Sequence, residues 1–355
     1  MNKFFFIFFI IVFLFKTQTV FSDSLIYDVN NIEVSGKINN NLDQKKLIQT
    51  ALQKAFIIFV NKTLLKKDAI NLYKTKISTI EDLVFAYQII KDEKKEKKEN
   101  ILIFNIKFDQ KKISKFLARK KVPYADVTNI SLTLLPVFIR GKDILIYSDN
   151  FFYNNWLKSN KEIKNINDIL ISYNLALENI EDLQYINLNK DNLELIDVKK
   201  LTSFNDVKNY AFLLIYFTEG KFNAYVKTSI ENKEIDKNFD LKIYPESETR
   251  TYEEAILILK EEISQIWKGQ NLIDASAPSF LDLYLDIKQI NDYSKLRAVF
   301  DSLDLIEEHS VLEMTNEYTK VRLKYKGKIN KLRDKLLANK INIKIIENTW
   351  RITLN

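Results

Sequence analysis

The side chains able to do chemistry are few and scattered. The chain has one histidine, His309, and no cysteine. A cysteine nucleophile is therefore excluded, and a serine–histidine–acid triad has a single imidazole to draw on. No Gly-x-Ser-x-Gly occurs, so no nucleophile elbow is signalled. Five glycines spread over 355 residues make neither a P-loop nor a dinucleotide fingerprint. His309 sits in a strand-like run with Glu307, Glu308 and Glu313. A zinc site wants a second histidine or a tight carboxylate cluster on one face. Residues 307 and 309 share a strand face and 308 does not, so His309 is expected as a surface-strand residue. No metal ligand, cofactor-binding residue or catalytic residue is assigned.

Paired carboxylates are the one catalytic option the composition leaves. Glycoside cleavage needs two acids about 5–10 Å apart. Glu81–Asp82, Asp143 with Asp149, and Glu253–Glu254 are available, but with 47 acids such pairs arise by chance. Glu253–Glu254 suits the first turn of a helix, where carboxylates complement the dipole. A hydrolase using paired carboxylates is therefore the alternative reading, and a non-catalytic protein the main one. The most distinctive patch is Tyr147–Trp156, with five aromatics in ten residues. Exposed, it would be a partner or glycan surface. Phe152 and Trp156, four apart on a helix, suit a core plug instead. Phe151 and Tyr153, on the other side of the same turn, are the candidate partner-contact residues.

The start of the chain gives an address. Met1-Asn2-Lys3 precedes an unbroken apolar run of twelve residues, Phe4–Phe15, then Lys16 and small or polar residues to Ser22. This is the pattern of a secretory signal peptide over residues 1–22, with cleavage expected between Ser22 and Asp23 after the Val20/Ser22 pair. A retained anchor is the competing reading, but a spanning helix needs about 20 apolar residues. Export implies a periplasmic protein without stable membrane insertion after cleavage. A lipid anchor on cysteine is excluded, since there is none to acylate. Without cysteine no disulfide framework exists, and the fold must rest on its own core.

Removing Lys3 and Lys16 leaves 52 basic residues against 47 acids. So mild an excess, mostly lysine, is not the footprint of a nucleic-acid binder.

The patterns that would position these residues fall into three groups. Residues 25–34 read as a strand, followed by a helix carrying Leu47, Ile48, Ala51, Leu52, Ala55, Phe56 and Phe59 on one face. Asn41 with Gln44 makes a capping pair at its start. Leu83, Phe85, Tyr87 and Ile89 alternate, as do Leu102, Phe104, Ile106 and Phe108, giving two strands around a solvated loop of mixed charge at 91–99. A helix from Asp109 to Lys120, stopped by Pro123, completes a β-α-β-β-α order.

In the second group, Ile130–Ile139 and Ala211–Phe217 suit strands buried on both faces. Gly141 and Gly220 turn them into further strands at 144–147 and 222–230, and a third lies near 238–244. Helices are expected at 150–158, 177–184 and 204–210, and from Thr251 to Lys268. Thr251 and Glu254 form a capping box for the last, and Gly269 stops it.

After a break at Ala275–Pro278, Leu281, Leu283, Leu285 and Ile287 alternate with polar residues. Asn291 caps a helix, strands follow near 305–314 and 318–326, then a helix at 329–336 and a strand at 341–345. That is the β-α-β-β-α-β order of a ferredoxin-like fold. Trp350, Ile352 and Leu354 are expected to extend its edge.

Several of these features resemble the exported proteobacterial family called Domain of Unknown Function 2066. They are Tyr27-Asp28-Val29, the helix Leu47–Val60, Phe108-Asp109 leading into Ile113–Leu117 and Pro123, and Asp149-Asn150-Phe151-Phe152 with Trp156. Where those relatives carry Asn-Pro-Trp, this chain has Phe151 and Phe152, which keeps an aromatic and loses the turn-fixing proline. The resemblance covers roughly residues 25–270 and implies an exported protein without an assigned activity or cofactor.

The expected fold is a mixed α+β and α/β chain. Residues 23–127 form an N-terminal α+β sheet domain, 128–274 a middle α/β domain with buried strands, and 279–355 a C-terminal ferredoxin-like domain. The expected role is a periplasmic, envelope-associated interaction or assembly factor. Its partner would be another envelope protein, with no nucleic acid and no cofactor.

Overall fold

The computed structural model describes residues 25–36, 41–90, 101–125, 129–158, 170–243, 248–274, 278–286, 290–303 and 305–354. The expected signal segment, the charged run at 91–99 and most of the break at 275–278 lie outside them. So do the side chains of Asn41 and Asn291. The described chain is mixed helix and strand in several open sheets.

A short 3-10 turn, Leu25–Tyr27, leads into β1 (Asp28–Ser35), where a continuous strand from residue 25 was expected. Helix α1 (Asn41–Thr63) buries Ala51, Leu52, Ala55, Phe56, Phe59 and Val60, the face its three- and four-residue spacing marks out. Two short helices not foreseen follow, α2 (Lys66–Leu72) and α3 (Ile77–Leu83). Leu83 therefore closes a helix rather than opening a strand. It is buried at the end of α3, where one apolar residue serves either period. β2 (Val84–Ile90) and β3 (Ile101–Phe108) are antiparallel neighbours in a sheet of order β1-β3-β2. Helix α4 (Gln110–Lys120) is capped by Asp109, whose side chain accepts from the Lys112 N–H at 2.9 Å.

The short β4 (Tyr124–Ala125) precedes the central strand β5 (Ile130–Arg140) and β6 (Asp143–Ile146). After α5 (Phe151–Asn155) comes β7 (Ile171–Leu175), which alternation over five residues did not reveal. Helix α6 (Ile180–Leu188) follows. Residues 204–210, expected as a helix, form instead the end of a 3-10 turn and the start of β8 (Tyr210–Thr218). Two tight turns then fold β9 (Lys221–Ile230) and β10 (Lys233–Leu241) back on one another. Glu219 and Gly220, then Glu231 and Asn232, all take positive φ, the geometry of two-residue hairpin turns. The second turn places β10 five residues earlier than expected. In the resulting sheet β5 pairs in parallel with β7 and β8, while β6, β9 and β10 run antiparallel to their neighbours.

Both faces of this sheet are covered. Leu134, Phe138, Ala211, Leu213 and Ile215 join one core, and Leu135, Val137, Phe212 and Leu214 another. The first core runs on into the side chains of α1 and β3, so one continuous apolar interior serves both N-terminal sheets. Helix α7 (Glu248–Gln270) buries Ile256, Leu259, Ile263, Ile266 and Trp267 as its periodicity dictates. It starts three residues before Thr251, so Thr251 is a buried interior residue and not a cap, and it runs past Gly269. β11 (Leu272–Ile273) then pairs with β4.

The last sheet is built from β12 (Ser279–Asp286), β13 (Ile306–Met314), β14 (Tyr318–Tyr325), β15 (Ile341–Ile346) and β16 (Thr349–Leu354). Helices α8 (Ile290–Ser302) and α9 (Ile329–Ala338) supply Leu296, Phe300, Leu332 and Leu336 to its separate core. The strand order is β13-β14-β12-β16-β15. The Trp350–Leu354 segment therefore does not extend the edge. A turn at Glu347–Asn348, both at positive φ, returns it between β15 and β12, parallel to β12.

Candidate partner-binding site

The aromatic segment is built into the middle sheet. β6 and β7 approach β5 from the same side, one along Val137–Arg140 and the other along Ile130–Leu134. Pro136 faces the gap between them, where its missing N–H costs no ladder bond. Its carbonyl is taken by the fully buried Asn150, whose Nδ2 donates to Pro136 O at 2.8 Å and to Leu145 O at 3.1 Å. The same side chain caps α5 by accepting from the Phe152 N–H at 2.9 Å. This fixes the helix that carries Phe152 and Trp156 inward, both fully buried as expected. Phe152 packs against Phe138, Phe222 and Tyr252, and Trp156 against Tyr173, with the Lys260 ammonium 5.8 Å from its ring.

Phe151 and Tyr153 are each half-buried. The Phe151 ring lies 5.1 Å from that of Tyr252, and the Tyr153 hydroxyl donates to the Ala176 carbonyl at 2.7 Å. Both side chains are thus engaged internally, and the geometry gives them only a partial surface.

Beside them lies a polar cluster that sequence reasoning missed. Asp182 is fully buried and accepts from the Thr202 N–H at 2.6 Å, the Ser203 N–H at 3.0 Å and Asn179 Nδ2 at 2.9 Å. Burial alone would raise its pKa, but the hydrogen bonds from Ser203, Asn179 and the two backbone groups outweigh it and hold the carboxyl below its ordinary value. Tyr147, at φ 53°, closes the cluster, and burial pushes its hydroxyl up to about 12. The only sequence signal was the Asn179…Asp182 spacing of a helix cap, and Asn179 does accept from the Asp182 N–H at 2.7 Å. With its oxygens satisfied by the fold, Asp182 acts as a structural anchor for the turns around it.

The carboxylate pairs singled out by sequence lie at the surface. Glu81, Asp82, Asp143, Asp149, Glu253 and Glu254 are all exposed, and Glu81 accepts from Gln49 Nε2 at 3.1 Å. His309 projects from β13 with Nε2 2.9 Å from Asp301 Oδ1 and its ring 5.7 Å from Phe300. No group of three potential metal ligands occurs among the described residues.

An apolar edge with a groove beside it lies at β2. It forms one edge of its sheet, and among the described residues no strand pairs with its outer side. Phe85 is 68% exposed and Tyr87 46%. Register places Tyr87 opposite Ile106 and Ile89 opposite Phe104, on the face that α1 covers over β3. A bulge between Val84 and Ala86 swings Phe85 out of that ladder. Helix α1 does not extend over this edge, and a groove of about 700 Å³ opens between the two. Ile48, Leu52, Val84 and Phe85 give it an apolar lining, and Lys45 and Glu81 a polar rim. The alternation of Phe85, Tyr87 and Ile89 signalled the strand, but could not tell an apolar face covered by a helix from one left open.

Compared with known proteins, the chain matches no family model, no curated protein and no solved structure.

Proposed function

We propose that this is an exported, periplasmic protein that acts by binding, and that it takes up an extended segment of another envelope protein as an added strand on β2. The unpaired edge of β2 beside an apolar groove carries this reading. A free edge offers a row of backbone donors and acceptors that only another strand satisfies in register, and the groove supplies pockets for alternate side chains. The apolar run at Phe4–Phe15 supports export, with cleavage between Ser22 and Asp23. The exposed positions of the acid pairs favour binding over carboxylate hydrolysis, which wants two close acids in a cleft. The C-terminal unit is read as a ferredoxin-like fold with β16 inserted beside β12, since the remaining strands keep the order β13-β14-β12-β15.

The test is site-specific cross-linking in cells. A photoreactive residue at position 87 should give one dominant adduct with an envelope protein, and the same residue at exposed Glu317 should not. The purified partner should then protect β2 amides from hydrogen exchange. Adducts equal at both positions, or β2 amides that stay unprotected with the partner bound, would overturn the reading.

A further inference from the structure

A second opening lies on a different part of the molecule, where the end of α7, the turn between β9 and β10, and the start of α9 meet. It holds about 610 Å³, within the range of small-molecule sites. Five lysines line it, Lys208, Lys233, Lys328, Lys331 and Lys335, against the carboxylates of Glu231 and Asp334. Lys233 and Lys328 turn their ammonium groups onto a single acceptor, the Gln270 carbonyl, Lys233 at 3.5 Å and Lys328 at 2.5 Å. That carbonyl belongs to the last turn of α7, the negative end of the helix dipole. One carbonyl does not neutralise two cations. Burial, together with the nearby Lys233, pushes the Lys328 pKa down, with Glu231 opposing in part.

Trp267 forms part of the crevice wall and is 1% exposed, so its indole signal reports on what enters the crevice. The start of α9 adds to the lysine cluster. Lys328 at the N-cap contributes no side-chain acceptor to the first turn, whose N–H groups favour an anion.

We propose that this crevice binds a phosphate-bearing ligand. Lys233, Lys328 and Lys331 hold the phosphate, and the Trp267 side chain forms part of the wall beside it. A dianion fits the excess of five ammonium groups over two carboxylates better than a single carboxylate would. The volume leaves room for the organic group that carries the phosphate. That group is either a soluble phosphate ester or a lipid headgroup.

The chain has three tryptophans, so ¹⁵N-tryptophan labelling of the whole protein gives three indole signals. Glycerol 3-phosphate and inorganic phosphate should each shift the Trp267 signal saturably and leave Trp156 and Trp350 in place. Chloride at matched ionic strength should not. The double substitution Lys233→Gln/Lys328→Gln should weaken the response by about tenfold or more while the unliganded spectrum stays folded. Vesicles of phosphatidylglycerol, compared with phosphatidylcholine, separate the sources. Loss of the Trp267 signal on the former alone assigns the lipid, and a response to soluble esters only assigns the free ligand. No movement of Trp267 with any of these probes overturns the proposal. So does an equal response to chloride, or an equal response in the folded double variant.

Discussion

β2 and β3 are neighbours in one sheet and carry the same kind of alternating apolar pattern, yet they end in opposite environments. Phe104 is 1% exposed and Phe85 is 68% exposed. Leu102, Ile106 and Phe108 are sealed under α1, while Tyr87 lies nearly half open on the same face of the sheet. Alternation specifies a strand with one apolar face. Whether that face is covered depends on the reach of a helix far away in sequence. The middle sheet makes the same point from the other side. β5 and β8 are covered on both faces, and their near-continuous apolar runs are what such coverage requires. β2 is an alternating apolar edge strand left partly open, and the proposed partner would supply its missing layer.

The largest effect is expected where coverage is complete. Trp156→Ala removes a fully buried indole and should cost about 3–5 kcal/mol. That is a large share of a typical stability of about 5–15 kcal/mol. Urea unfolding measures it. A loss under 1 kcal/mol would mean the α5 segment is not a core plug, and the contrast with β2 would collapse.

A buried cation tests the covered region through pH. Lys268 is 1% exposed, donates to the Asn61 carbonyl at 2.9 Å, and burial brings its pKa down to about 8, with Glu261 opposing. Its folded pKa lies below the ordinary lysine value of about 10.4, so between these two values the unfolded chain binds more protons. Stability should therefore rise as pH goes from about 8 to about 10.4, by roughly 3 kcal/mol from this group. The Lys268→Met variant should lack this component and gain stability at neutral pH. Chemical unfolding of both proteins at pH 7.5 and 10 checks it, and identical pH slopes would show that Lys268 is not desolvated.

Asp182 tests the polar part of the same region. Asp182→Ala leaves the Thr202 and Ser203 N–H groups without their acceptor and should cost about 1–3 kcal/mol. The folded pKa lies below the unfolded value of about 3.9. The stabilisation is therefore present above that value and is lost as pH falls through the folded pKa. The acid limb of the wild-type stability curve should flatten in the variant.

The elements most legible in the sequence were those whose pattern depends on their own residues. The inward face of α7, the alternation of β12 and the plug at Phe152 and Trp156 follow from period alone. What escaped depended on contacts distant in sequence. β7 is five residues long and exists because β5 pairs with it. The Asp182 cluster joins Asn179 to Thr202 and Ser203 across more than twenty positions. Trp350–Leu354 alternates like an edge strand, and only its parallel register with β12 places it inside the sheet. The crevice around Trp267 draws residues from α7, α9 and the turn between β9 and β10, so no local pattern could announce it.

The smallest stability effect should come from the open strand, and its smallness is the point. Phe85→Ser with Tyr87→Ser removes two large aromatics from β2. If both were covered as Phe104 is, such truncations would cost several kcal/mol each. Because Phe85 is 68% and Tyr87 46% exposed, only part of each ring's burial is lost, about 1–2 kcal/mol for the pair. Serine still has reasonable strand geometry, and the β2–β3 ladder from Ala86 to Ile90 is backbone pairing that survives the change. Urea unfolding of the purified double variant should therefore keep the wild-type slope and move the midpoint only modestly. The bound state should behave differently, since an added strand would pack on these same rings, and cross-linking from position 89 should weaken in the double variant. A loss above about 3 kcal/mol in the isolated protein would show that β2 is already covered within its own chain. The distinction between the two neighbouring strands would then be one of degree, and the groove would not be a free receptor.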